Sequence, residues 1–286
     1  MYKFTISNLI LDNPFIFEIN EDEFNNIKEN KEVLSTIFSK ENKYAIILKN
    51  YYEFEKELFE IILENEISKK VIYYAEANDY KLRIEQKFLN LFSSITFYRD
   101  SYSNKNLNKY PSLIVSEIKN INKVIKNKNE KYEIMQHLRN HLQHNSFLID
   151  TFSLPNNKLA NGLREITIDM IVSKTNIKAK YFKLDDFPNI PDEINIKDYT
   201  RDYVDFMGDI HKEFIELTVE KVNKSREYIQ NLLNKYNTNY LLVKKICGNV
   251  ELEEFQILLN WDDVRIKLQE ENKVPTFFKK SLINTK

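Results

Sequence analysis

The sequence predicts a mainly α-helical protein with small β elements, α+β overall. Three observations carry that reading. Apolar residues recur at three- and four-residue spacing through long stretches, the signature of a helix with one buried face. Two shorter regions alternate apolar and polar residues, the period of a strand. Short polar or proline-containing breaks separate the helical stretches, the pattern of an antiparallel bundle.

Taken in order, "YKFTISNLIL" and "FIFEI" are β-prone, and Asp12 to Pro14 supply a turn, so the chain opens on a hairpin. A short acidic helix follows from Glu21, and "KYAIILK" (residues 43–49) reads as another strand. From Tyr51 the period changes. Phe54, Leu58, Ile61 and Ile62 recur at helical spacing. The next helix carries Ile84, Phe88, Leu91, Phe92, Ile95 and Tyr102 on one stripe. Pro111 suits the first turn of another helix, because its missing N–H is unpaired there anyway. That helix should bury Leu113, Ile114, Ile118, Ile121 and Ile125. "NKNEK" (127–131) makes a polar break before a further helix. After Pro155, Ile166, Ile168, Met170 and Val172 alternate with polar residues, as does "IKAKYFKL" from Ile177, so a hairpin is inserted between helices. Pro188 and Pro191 mark a loop. A long helix runs from about Asp198 to Lys235, with Tyr203, Met207, Ile210, Phe214 and Leu217 on one face. A strand ("NYLLVKKI") and a helix around Leu252 to Gln269 complete the chain. The expected division is an N-terminal α/β extension (1–49), a helical bundle core (50–150), a β-hairpin insertion (151–195) and C-terminal helices (196–286). The first of those helices packs on the bundle.

Composition excludes several functions. Lysine plus arginine (42) balances aspartate plus glutamate (43), so nucleic-acid binding would need a local patch. With glycine only at 162, 208 and 248, the chain lacks the clustered glycines of a phosphate-cradling loop. A single cysteine, Cys247, leaves no internal disulfide and fits the cytoplasm. The first residues lack the basic start and apolar stretch of a secretory signal. No run of about 18 apolar residues suggests a membrane span.

The unusual segment is "MQHLRNHLQHNS", residues 135–146. Three of the four histidines, His137, His141 and His144, fall here beside Arg139 and Asn140. On an ideal helix, at about 100° per residue, Met135, Leu138 and Leu142 cluster on one side. Asn140, His144, His137 and His141 cluster on the other, and Arg139 lies between. Three readings compete: a surface or subunit interface, a metal site through the four-residue spacing of His137 and His141, and metal-free acid–base chemistry by Arg139 and His144. No carboxylate or cysteine lies within the motif, which counts against a metal. Lys119, Lys123, Lys126, Lys128 and Lys131 precede it and are either a guide for phosphates or a solvated helix face.

"RNHLQH" fits the pattern Arg, polar residue, three residues, His. In this it resembles the signature of the HEPN superfamily of ribonucleases, with Arg139, Asn140 and His144 at the matching positions. The resemblance covers about residues 50–150, and the long helix near 200–235 would complete the bundle. It implies an antiparallel HEPN-like helical bundle and a metal-independent endoribonuclease that needs no cofactor. RNA brings its own nucleophile, the 2′-OH. Histidine exchanges protons near neutral pH, and arginine neutralises charge on the phosphorane. Arg139 and His144 would be the catalytic pair, with Asn140, His141 and His137 supporting RNA binding. Such proteins act as toxins or anti-phage effectors, form homodimers whose two motifs share a cleft, and are restrained by an antitoxin or regulatory protein. The alternative is a non-catalytic module of the same type that binds RNA, nucleotide or a protein partner.

Overall fold

The structure is a computed structural model that describes residues 2–8, 14–68, 72–126, 130–144, 148–158, 164–176 and 191–273. In chain order its main elements are β1 (Tyr2–Asn8), β2 (Phe15–Ile19), α1 (Glu21–Ser68), α2 (Tyr74–Asp100), α3 (Val115–Lys126), α4 (Glu130–His144), β3 (Thr151–Ser153), β4 (Asn156–Lys158), β5 (Arg164–Ile166), β6 (Asp169–Ser173), β7 (Glu193–Asn195), α5 (Ile196–Lys235), β8 (Leu241–Cys247), β9 (Val250–Ile257) and α6 (Asn260–Glu271). The class expected from sequence is found: mainly helix, with small antiparallel sheets. Among the described residues no helix is long and apolar enough to cross a membrane.

The chain separates into two compact units, one of residues 1–42, 101–123 and 213–272, the other of 43–100, 124–212 and 273–286. The boundary expected at residue 49 falls inside α1. In the first unit the predicted hairpin is present, with Phe4 opposite Ile19 and Asn8 opposite Phe15; its turn lies outside the described residues except for Pro14. The strands form a sheet in the order β2-β1-β8-β9, all pairs antiparallel. The sheet buries Phe4, Ile6, Leu241 and Val243. Phe24 of α1 meets Phe4 at 5.0 Å and Phe255 at 5.4 Å between ring centroids. Residues 252–257, expected to begin a helix, lie in strand β9 instead. Gly248 has φ of 58° and opens a two-residue turn that pairs Cys247 with Val250, a tight hairpin that glycine permits without strain. The helix of that region begins only at Asn260.

α1 is a single helix of 48 residues, where sequence suggested a short helix, a strand over 43–49 and a second helix. Its first turn is capped by Asn20, whose side-chain oxygen accepts from the Glu23 N–H at 2.8 Å. Phe24, Ile27, Leu34, Ile37, Tyr44, Ile47, Tyr51, Phe54, Leu58 and Ile61 are buried. Their spacing keeps the three-and-four period except across Ile27 to Leu34 and, further on, between Ile37 and Tyr44. There the stripe is continued by Lys40 and Glu41, both buried. The apolar pattern breaks at those two charges, so the β-prone residues that follow look like a new element. Burial shows that they are not.

In the second unit α2 buries Ile84, Phe88, Leu91, Phe92 and Ile95 as expected. Phe88 packs on Phe54 at 4.7 Å and Phe92 at 5.5 Å. Glu55 of α1 and Arg201 of α5 form a buried two-pronged ion pair, both contacts 2.8 Å. The inserted β region comprises the sheet β3-β6-β7 and the hairpin β4-β5. The alternating segment from Ile177, and Pro188, lie outside the described residues. Two of the expected core positions are exposed: Leu113 and Leu217.

Candidate functional site

α4 carries the histidine motif, and its burial is broader than the predicted stripe. Tyr132, Ile134, Met135 and Leu138 are buried, and so is His141 at 4% exposure. Ile134, Leu138 and His141 stand at i, i+4 and i+7, so they share a face. Leu142, expected in the core, is only half-buried. Of the four residues grouped opposite the core, His141 therefore turns to the core edge, while His137 and Asn140 are half-buried. His144 is the last residue of α4, and its side chain lies outside the described residues. On an ideal helix Arg139 and His144 stand about 7.5 Å apart along the axis and about 140° apart around it. Only a long side chain at 139 bent round the helix brings the two groups together.

Arg139 bends in that direction. Its Nη1 donates to Oδ1 of Asn140 at 2.9 Å, on the histidine side of the helix. Its Nε is enclosed and meets no acceptor among the described residues. Arg99, at the end of α2, approaches from the other side. Nε and Nη2 of Arg99 donate to Oδ1 of Asp100 at 3.1 and 2.8 Å. Its Nη1 donates to Oε1 of Gln136, and Nε2 of Gln136 donates to the hydroxyl of Tyr203 on α5. Gln136 lies one helical turn before Arg139 and Asn140, so Arg99, Gln136, Arg139 and Tyr203 form one cluster.

The electrostatics follow from this crowding. Burial, and next the neighbouring Arg99 charge, hold the Arg139 guanidinium below its ordinary pKa. Burial, reinforced by Tyr132, pushes Tyr203 well above the ordinary tyrosine value, so it keeps its proton. The ring of Tyr132 packs on Tyr203 at 5.4 Å. Six of the seven arginines have described side chains. Arg83, Arg99, Arg201, Arg226 and Arg265 each meet a carboxylate within 3.0 Å. Among the described residues, Arg139 alone of these six has none.

Comparison with known protein families, with curated proteins and with solved structures found no match to this chain.

Arg139 and Asn140 are thus together, His137 and His141 lie on the same helix with different burial, and Arg99, Gln136 and Tyr203 join them unforeseen. Gln136 stands within the quoted motif, but Arg99 is 40 residues away and Tyr203 has the spacing of a core residue. Only the packing of α2 and α5 against α4 brings them in. Lys119, Lys123 and Lys126 are exposed on α3; Lys128 and the Lys131 side chain lie outside the described residues. Among the described residues no group of three or more histidine, cysteine, aspartate or glutamate side chains is placed to hold a metal ion.

Proposed function

We propose that the protein is a metal-independent endoribonuclease of HEPN type that acts in the cytoplasm as a toxin or anti-phage effector. The observation that carries this reading is the state of Arg139. It is a half-buried guanidinium held by a neutral amide, with no carboxylate among the described residues. A cation left in that condition has charge to offer an anion.

In the proposed reaction the 2′-oxygen of a ribose attacks the adjacent phosphorus and the bond from phosphorus to the 5′-oxygen breaks. His144 takes the proton of the 2′-OH or delivers one to the leaving 5′-oxygen. Arg139 stabilises the charge on the non-bridging oxygens. The products are a 2′,3′-cyclic phosphate and a 5′-OH, and atoms balance without a metal or cofactor. Asn140 supports the reaction by holding the guanidinium, and His137 and His141 by bordering the RNA path. A homodimer would set two α4 helices across one cleft, and an antitoxin or regulatory protein would restrain it.

The test is cleavage of single-stranded RNA by the parent and by His144→Ala, with and without EDTA. The expected result is activity that survives EDTA and falls about 100-fold or more in the variant, with His137→Ala losing less. Cleavage by His144→Ala at the parent rate overturns the assignment. RNA that is bound but never cut indicates a binding module instead.

A further inference from the structure

We propose that Arg99 of α2 is a second phosphate-binding residue, closing with Arg139 as a two-guanidinium clamp on the backbone of an RNA strand. This rests on the ribonuclease reading of α4. Arg99 reaches α4 through its hydrogen bond to Gln136, one turn from Arg139 and Asn140. Two guanidiniums therefore meet at one place, with Asp100 the single carboxylate among the described residues bonded to either.

Like charges brought together in a half-buried site repel, and that repulsion is unfavourable until an anion arrives. The cluster stores what a phosphate relieves. The planar fork of arginine matches phosphate oxygens two at a time. Tyr203 adds a protonated hydroxyl whose oxygen already accepts from Gln136. Asp100 is the built-in competitor. Its side chain is 59% exposed, so its ion pair is weak and easily exchanged for phosphate. The contrast with the other arginines supports this. Arg201 is locked to a buried Glu55, and Arg83 is shared between Glu57 and Glu64. Each holds at least one carboxylate far more buried than Asp100, Glu55 at 3% and Glu57 at 9% side-chain exposure.

The experiment uses the full chain and a 2′-O-methyl oligoribonucleotide, which has no free 2′-OH and so reports binding without cleavage. Kd is measured across a salt series. Arg99→Gln is expected to weaken binding about tenfold or more and to lower the slope of log K against log salt by about one. Arg99→Lys should restore the slope but only part of the affinity, since an ammonium lacks the fork. Asp100→Asn, which releases Arg99, should tighten binding. An Arg99→Gln protein with the parent Kd and slope overturns the clamp. So does weaker binding at an unchanged slope, which marks a structural role, and so does a parent that binds no oligonucleotide at low salt. The two proposals fail separately. Arg99-dependent binding without cleavage of unmodified RNA sinks the nuclease and keeps the clamp. Cleavage dependent on Arg139 and His144 with Arg99-independent binding does the reverse.

Discussion

Lys40 and Arg139 are both cations taken out of bulk water, and the two regions treat them oppositely. Lys40 is 1% exposed. Its Nζ donates to the Ser101 carbonyl at 2.8 Å, to the Ser101 hydroxyl at 2.6 Å and to the Tyr110 hydroxyl at 3.3 Å. It also lies 3.5 Å from the centre of the Tyr102 ring. An ammonium has three protons to place, and here all three have acceptors, with an aromatic face added. Arg139 has five N–H groups, one described hydrogen bond, and another guanidinium beside it. A buried charge that serves the fold is surrounded until it needs nothing more. Arg139, which we propose serves a ligand, is left with capacity among the described residues.

The largest test of that contrast is Arg139→Ala. It should lower RNA cleavage about 100-fold or more, as expected for loss of a charge stabiliser. Its Tm should stay within a few degrees of the parent, because no described ion pair is lost. A large fall in Tm would mean that Arg139 is a second Lys40, and the contrast would collapse.

Lys40→Met should show the opposite signature. The stem is replaced at similar volume, but Ser101 loses a buried donor, and such a loss costs about 1–3 kcal/mol. A Tm lower by several degrees, with unchanged cleavage per folded molecule, is the expected outcome. Loss of activity without loss of stability would place Lys40 in the chemistry.

The same pair explains what was legible in the sequence. Where a core position is apolar, its period shows: the stripe of α2, the strand β1 and most of α5 follow directly from spacing. Where it is charged, the pattern is silent, and Lys40 with Glu41 split α1 into false pieces. Glu41 accepts from the Asn272 side chain at 2.7 Å, a partner that local spacing does not reveal. The β9 error has another cause. The dipeptide Gly248-Asn249 is a two-residue hairpin signal in plain view, yet Leu252, Phe255 and Leu259 also fit a helical spacing, and the turn residue decides. The candidate site was half legible. Arg139 and Asn140 stand side by side in the motif, whereas Arg99 and Tyr203 belong to it only because three helices pack.

Glu85 lies between the two extremes and gives the smallest effect. It is 4% exposed. Its Oε1 accepts from the Leu148 and Ile149 N–H groups at 2.9 and 2.8 Å, anchoring the chain shortly after α4. Its Oε2 has no hydrogen bond among the described residues. Burial raises its pKa above the ordinary glutamate value, against the lowering by the two amides and Lys81. A group raised in the folded state binds its proton more tightly there than in the unfolded chain. Its contribution to stability is complete below the ordinary glutamate value and is lost as pH rises through the folded value. Glu85→Gln keeps an acceptor at Oε1 and cannot ionise. The expected Tm difference is therefore near zero at about pH 4 and favours the glutamine variant at about pH 7, where an unfolded glutamate is fully charged. Thermal melts of parent and variant across that range decide it. A parent more stable than the variant at neutral pH would mean that the ionised carboxylate is well satisfied after all, and Glu85 would join Lys40 as a charge the fold completes.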